Sequence, residues 1–341
     1  MAENKSKKLT WLLLLQGWAM LWVVIGHSPL ALSKPRPDIF DLSTLDGFGA
    51  AIAYACYKFA YAFHMPLFIM ISGYLFYKTR VARNWNFLPM IKEKWLRLGI
   101  PYISFIILGI LIKFFYHSGR PLDTSFIGII KNFTHPFDGA LQEMWFIAAI
   151  FLYFLLYPVY RFVLKNKTYS LILLVGGGVM FFIPIKYITG FLSIDRAAHF
   201  FVFFYLGLCI AKWNWDKYIN KLYFLGCSTA IFIISLYAEI PLLLPLSGCI
   251  AFWGLSVLID SKLSNNMFHT FRDYTYQIFL IGIFGQIAVK VLYSKFQFEG
   301  SYIIWWIVCI LVGIYLPVLI SKCVKKYNGP GEIALKRILG L

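Results

Sequence analysis

The sequence predicts an all-α polytopic membrane protein with about ten transmembrane helices and both termini in the cytoplasm. Three observations carry that reading. Of the 341 residues, 60% are hydrophobic and 14% are charged; soluble globular chains have roughly 45–50% and about 25%. A membrane-crossing helix takes about 20 apolar residues, so ten of them occupy roughly 200, close to the whole apolar content. The charges are also lopsided: 32 Lys and Arg against 15 Asp and Glu give +17. Positive charge of this kind collects in the cytoplasmic loops of membrane proteins.

The predicted spans are 9–31, 52–77, 98–116, 144–163, 169–187, 198–213, 221–238, 241–260, 275–293 and 302–323. The first follows Lys5, Lys7 and Lys8. It is too long for the apolar core of a signal peptide and no A-x-A cleavage site follows, so it reads as a retained span. The second holds Pro66, which has no N–H and frees a backbone carbonyl that needs another partner. The basic amphipathic stretch 83–97 is expected at the membrane interface, ahead of the third span. The segment 117–143 is the longest without an apolar run and carries His117, Asp123, His135, Asp138 and Glu143. The whole chain, 1–341, reads as one integral membrane domain.

Counting charges tests the layout. If ten spans alternate from a cytoplasmic N-terminus, 22 basic residues fall on the cytoplasmic side and 8 on the outer side. The sorting agrees with ten spans and cytoplasmic termini. It also accounts for the high net charge without nucleic acid, for which no Lys/Arg run is long enough. The six cysteines are isolated in or beside apolar stretches and form no CxxC pair; they read as packing residues, and no metal site is implied. The chain has no GxxxxGK[ST], HExxH or GxSxG, which leaves conventional ATPases, zincins and serine hydrolases unsupported.

Polar groups inside spans are costly and point to function. In the first span, with helical residues about 100° apart, Trp18 and Trp22 fall within about 20° of Trp11, whereas Gln16 and His27 lie at about 140° and 160°. The helix therefore has a tryptophan face, suited to lipid or packing, and a Gln/His face. Gln16 and His27 stand about 16 Å apart along the axis. In the second span Tyr57, Tyr61, His64, Phe68 and Ser72 share one stripe beside the proline. Glu143 and Trp145 open the fourth span on the outer side, and Asp195, Arg196 and His199 open the sixth. Either cluster suits a polar substrate or interfacial anchoring. Lys92, Lys94 and Arg97 belong to a segment, 78–97, of net charge about +5, suited to a donor's phosphates or to anionic membrane lipid.

Two stretches are more specific: Gln16-Gly-Trp-Ala-Met-Leu-Trp-Val-Val-Ile-Gly-His27 and Phe63-His64-Met65-Pro66-Leu67-Phe68-Ile69-Met70-Ile71-Ser72-Gly73-Tyr74. Together they resemble the opening of the membrane acyltransferase-3 family, in its fucose-O-acetylase-like branch. Lys94-Trp-Leu-Arg97 with Leu98-Gly99-Ile100-Pro101-Tyr102, Met144-Trp145-Phe146-Ile147 and Phe203-Phe204-Tyr205-Leu206-Gly207 resemble further family stretches in order. The sequence departs from the family pattern in two places. Gln16 stands where Arg or Lys is usual, and Gly282 where many members have His.

The resemblance implies an acetyl-CoA-dependent O-acyltransferase, most often O-acetyl. It would move the acyl group from cytoplasmic acyl-CoA to a hydroxyl of a surface or exported carbohydrate, a polysaccharide or a lipid-linked sugar. The expected location is a bacterial-type inner (cytoplasmic) membrane. A sugar hydroxyl needs a general base, and His is suited to it. His27 is the expected base, with His64 positioning the thioester or relaying a proton. Gln16, Ser72, Lys94 and Arg97 are expected on the donor side, Glu143, Trp145, Arg196 and His199 on the sugar side, with no metal. The alternatives are a glycan or lipid-linked saccharide exporter of the same family, and a sensor or assembly partner without chemistry.

Overall fold

The computed structural model describes residues 10–32, 48–115, 122–262, 267–296 and 301–341. Lys5, Lys7, Lys8 and His117 lie outside the described residues, as do Lys34, Arg36 and Arg120 of the outer-side count. Regular structure among the described residues is helical throughout. In chain order it begins with α1 (Thr10–Leu32), α2 (Phe48–Tyr61), α3 (His64–Phe76), α4 (Phe87–Lys94) and α5 (Ile100–Phe115). There follow α6 (Phe126–Thr134), α7 (Trp145–Leu155), α8 (Tyr157–Val163), α9 (Lys167–Phe182) and α10 (Ile194–Trp213). The chain ends with α11 (Asp216–Ile219), α12 (Leu222–Ala238), α13 (Leu243–Lys262), α14 (Thr275–Phe296), α15 (Tyr302–Lys326) and α16 (Glu332–Ile338).

Seven helical stretches among the described residues are long and apolar enough to cross a membrane: Thr10–Pro29, Ala51–Val81, Phe87–Phe115, Phe191–Trp213, Leu243–Asp260, Arg272–Phe296 and Tyr302–Lys326. The predicted fourth span is a pair, α7 and α8, bent by 50°. Pro158 causes the bend, because without an N–H it cannot continue the ladder of α7. The predicted fifth and seventh spans are the apolar helices α9 and α12, of 16 and 17 residues. At about 24–26 Å they fall short of a hydrocarbon core about 30 Å thick. The chain is thus a helical membrane protein with seven candidate spans among the described residues, or eight if the bent pair counts as one.

The stretch 83–97 differs from the separate interfacial segment expected of it. From Phe87 it runs into the third span as one candidate span, Phe87–Phe115. A π-helical turn at Trp95–Gly99 joins α4 to α5, its Ile100 N–H reaching the Trp95 carbonyl. Pro101 follows it and cannot donate to Arg97, so the ladder widens there instead of breaking. A second π-helical turn, Tyr77–Val81, ends α3. The segment 117–143 also holds α6, whose N-cap Ser125 accepts from the Gly128 N–H at 3.0 Å. Hydrogen bonds from Ser125 hold the exposed Asp123 carboxyl below its usual range.

The chain forms two compact units. The first gathers α1, α2, the start of α3 as far as Phe68, α11 to α14 and α15 as far as Lys322. The tryptophan face of α1 packs there. Trp11 lies 4.8 Å from Trp253, Trp18 is edge-on to Phe268 at 4.9 Å, and Trp22 lies 4.6 Å from Phe59. Of lipid contact and packing, packing claims that face. On the opposite side of α1 Met20, Val23 and Val24 join Phe271, Ile278, Ile314 and Val318 in a core.

The second unit gathers the rest of α3, α4 to α10, and the C-terminal residues with α16. Its centre is the crossing of α3 and α10. A Cβ added at Gly73 would collide with the Phe204 carbonyl, and one at Gly207 with the Met70 carbonyl. Helices in a membrane associate by such backbone approach, since lipid gives no hydrophobic drive between them. Around the crossing Phe76 stacks on Phe154 at 4.6 Å, and Phe204 lies 4.6 Å from Tyr153. The Tyr153 hydroxyl donates to the Ala197 carbonyl at 2.8 Å.

Gly207→Ala forces α3 and α10 apart and is expected to cost about 2 kcal/mol or more. A melt of the detergent-solubilised protein followed by size-exclusion fluorescence measures it. A melting temperature equal to wild type would refute the crossing.

Candidate functional site

In the first unit the candidate site grows from the break between α2 and α3. Pro66 is the third residue of α3, in the first turn, where its missing N–H costs nothing within the helix. The same missing N–H prevents the ladder from running through from α2. The chain turns over Ala62 and Phe63, with the Phe63 N–H reaching the Ala60 carbonyl at 3.2 Å. His64 Nδ1 lies 2.6 Å from the same carbonyl. A carbonyl only accepts, so Nδ1 carries the proton, and Nε2 of the neutral ring holds the lone pair. His64 is 1% exposed, and its Nε2 has no hydrogen-bond partner among the described residues.

The Tyr61 hydroxyl lies 3.3 Å from His27 Nδ1 on α1. The His27 and His64 rings are 6.1 Å apart, and Tyr61 lies 4.8 Å from His64. Two imidazoles and a phenol thus meet at a helix break inside a candidate span. From Tyr61 the aromatic stripe continues to Tyr57 at 4.4 Å and to Tyr54 at 6.4 Å. Gln16 is half-buried on the same helix as His27, about 16 Å from it. Below His27 the Gln286 amide donates to Ser28 Oγ at 2.9 Å and to the Val24 carbonyl at 3.2 Å, tying α14 to α1.

In the second unit Lys94 and Arg97 belong to one basic cluster with Arg80. The Arg80 and Arg97 charges act on Lys94, and Glu93 offsets them. Arg80 is committed to structure: it pairs with Glu93 at 2.6 Å and lies 3.9 Å over the Trp85 ring. Lys94 lies 4.7 Å over Phe154 and is half-buried, whereas Arg97 is exposed. The two π-helical turns carry Arg80 and Arg97, and such turns recur at functional sites. Ser72 is half-buried on α3 beside the Gly73 crossing.

The residues expected on the sugar side cluster around the start of α10. Arg196 lies 3.7 Å over Phe137 and 3.6 Å from Asp195. His199 stacks on Phe181 at 4.3 Å and meets Phe200 edge-on at 4.7 Å; Trp145 stacks on Phe200 at 5.5 Å. Glu143 is half-buried in the turn Gln142–Met144, which packs against the turn carrying Phe137.

The structure therefore brings His27 near His64, sets the Arg97 charge near Lys94, and puts Trp145 and His199 against one ring, Phe200, with Arg196 one turn earlier on α10. Sequence reading missed the Tyr61 bond to His27 and passed over Gln286, a buried amide in the predicted ninth span. It also left Arg80 and Ser193 out; only a fold reveals their neighbours. Gly282 has a structural reason. A Cβ there would meet the Gly313 carbonyl at 2.8 Å, and one at Gly285 would meet Val312 at 3.1 Å. α14 and α15 approach too closely for a side chain at 282.

A family model described as an acyltransferase domain matches residues 9–322. No curated protein and no solved structure matches the chain significantly. Gly282→His must separate α14 from α15 and is expected to destabilise the protein by about 1–3 kcal/mol. A detergent melt reads it, and unchanged stability would show that the helices have room.

Proposed function

The chain belongs to the acyltransferase-3 family, and from that premise we propose which group this membrane acyltransferase moves and which residues move it. The donor is cytoplasmic acyl-CoA, acetyl-CoA first of all. The acceptor is a hydroxyl of a surface or exported glycan, either a polysaccharide or a lipid-linked sugar. The observation that supports this most is the meeting of His27, Tyr61 and His64 at a broken span. The stretch Phe63–Tyr74 favours the fucose-O-acetylase-like branch. The 22-to-8 sorting of basic residues favours ten spans, cytoplasmic termini and one catalytic domain over the whole chain. A bacterial-type inner membrane would supply CoA at the face where the positive charge collects.

The chemistry runs as follows. His27 accepts the proton of the acceptor hydroxyl through Nε2, which requires its Nδ1–H to face the Tyr61 oxygen. The hydroxyl oxygen bonds to the thioester carbonyl carbon, giving a tetrahedral oxyanion. The C–S bond breaks, the thiolate takes the proton back from His27, and an ester and free CoA remain. His64 presents a fixed lone pair 6.1 Å away, ring centre to ring centre, suited to relay a proton by way of water. Lys94 and Arg97 supply cations for the donor's phosphates. Gln16 offers an amide to its pantetheine, and Ser72 a hydroxyl. Glu143, Trp145, Arg196 and His199 offer polar and aromatic contacts to the sugar.

His27→Ala is expected to abolish acyl transfer in membranes at normal protein level, read as O-acetyl groups on surface glycans. Retained transfer would refute the base. Lys94→Ala with Arg97→Ala is expected to raise KM for acetyl-CoA about tenfold or more with kcat little changed, since each charge-assisted hydrogen bond is worth about 1.5–3 kcal/mol. Binding of acetyl-CoA to the purified protein separates transfer from export, for which a donor is not needed.

A further inference from the structure

The start of α10 holds a concentration of polar atoms that no described residue satisfies. Ser193 Oγ, Asp195 Oδ1, Arg196 Nε and His199 Nδ1 are all buried without a hydrogen-bond partner among the described residues. Ser193 is fully buried and Asp195 is 7% exposed. Arg196 Nε has an ion pair with Asp195 Oδ2 at 3.6 Å; buried polar groups in folded proteins nearly always have partners, so the other three orphans within seven residues call for one. The backbone is not the reason for them: the Ser193 N–H reaches Gly190 at 3.0 Å and the Asp195 N–H reaches Thr189 at 3.1 Å. Leu192 and Ser193 are held in left-handed conformations, φ 49° and 60°, which side-chain-bearing residues rarely adopt.

The orphans define the chemistry of what fits. Asp195 Oδ1 only accepts. His199 Nδ1 accepts or donates according to its tautomer, Ser193 can do either, and Arg196 Nε donates. A carboxylate oxygen, a hydroxyl and an imidazole nitrogen suit a ligand that carries several hydroxyls, each able to donate and accept. Charge narrows the class: Arg196 is already held by the Asp195 carboxylate at 3.6 Å and also feels Asp138. A phosphate or carboxylate would meet two carboxylates and one engaged cation. Beside the polar atoms stand aromatic faces: Trp145 stacked on Phe200, and Phe181 against His199.

We propose that the first turn of α10, with Trp145, is a binding site for an uncharged sugar residue, and that Asp195 selects it by accepting a ring hydroxyl. Naming that sugar as the acceptor's rests on the acyl-transfer reading; the binding site itself does not. Asp195 and Ser193 are then specificity residues alongside Arg196 and His199.

The test uses the full chain in detergent, without any acyl donor. Saturation-transfer NMR follows binding of methyl glycosides of neutral hexoses and of the corresponding uronic acids. At least one neutral glycoside should bind saturably, and the uronic acids should bind more weakly. Asp195→Asn, which keeps shape but removes the charge, should weaken binding about tenfold or more. Ser193→Gly removes the hydroxyl and tolerates the left-handed backbone, so it serves if Asp195→Asn does not fold. No saturable neutral glycoside, tighter binding of uronic acids, or wild-type affinity in the folded variants would overturn the site. Glycoside binding without acyl transfer would instead refute the enzymatic reading and leave this site standing.

Discussion

The carbonyl oxygen of Ala60 has no water to turn to in an apolar bilayer, and the candidate site of the first unit depends on how it is satisfied. Pro66 forbids the helix from running straight through, so the chain must turn over two residues and begin again at His64. The turn leaves the Ala60 carbonyl short of a full complement, and the His64 ring supplies it at 2.6 Å. That bond fixes which nitrogen of His64 carries the proton and stops the ring from rotating. It also holds Tyr61, the last residue of α2, against His27. A span that obeyed the ordinary ladder would have none of these contacts.

The second unit rests on a different solution to the same lack of water. Gly73 and Gly207 bring two backbones together, each opposite a carbonyl of the other helix. These glycines lie in two of the stretches that carry the family resemblance, Phe63–Tyr74 and Phe203–Gly207. At least part of what makes those stretches recognisable is therefore a close crossing, with the aromatic residues filling its sides. In the basic cluster Arg80 is committed to Glu93 at 2.6 Å and to the Trp85 ring at 3.9 Å.

The helical membrane fold was legible because composition and apolar length do not depend on packing. The Gln/His face of α1 was legible because 3.6-residue periodicity places it. The break near Pro66 was legible too, but its position was not: the helix stops before His64, because the proline tolerates a first turn. The short α9 and α12 show why span counting is uncertain, since the apolar windows of 169–187 and 221–238 exceed the helices they form. The sequence could not reveal that Asp195 Oδ1 and Ser193 Oγ are buried without a hydrogen-bond partner among the described residues, because burial depends on residues far along the chain. Nor could it reveal that Gly282 is a packing residue, since that depends on Gly313 in another helix.

The glycine line along α14 and α15 bears on which substitutions the chain can accept singly. Gly282 faces the Gly313 carbonyl and Gly285 faces Val312, so a side chain at position 282 requires coordinated change in both helices. A single substitution there tests packing before it tests any chemistry.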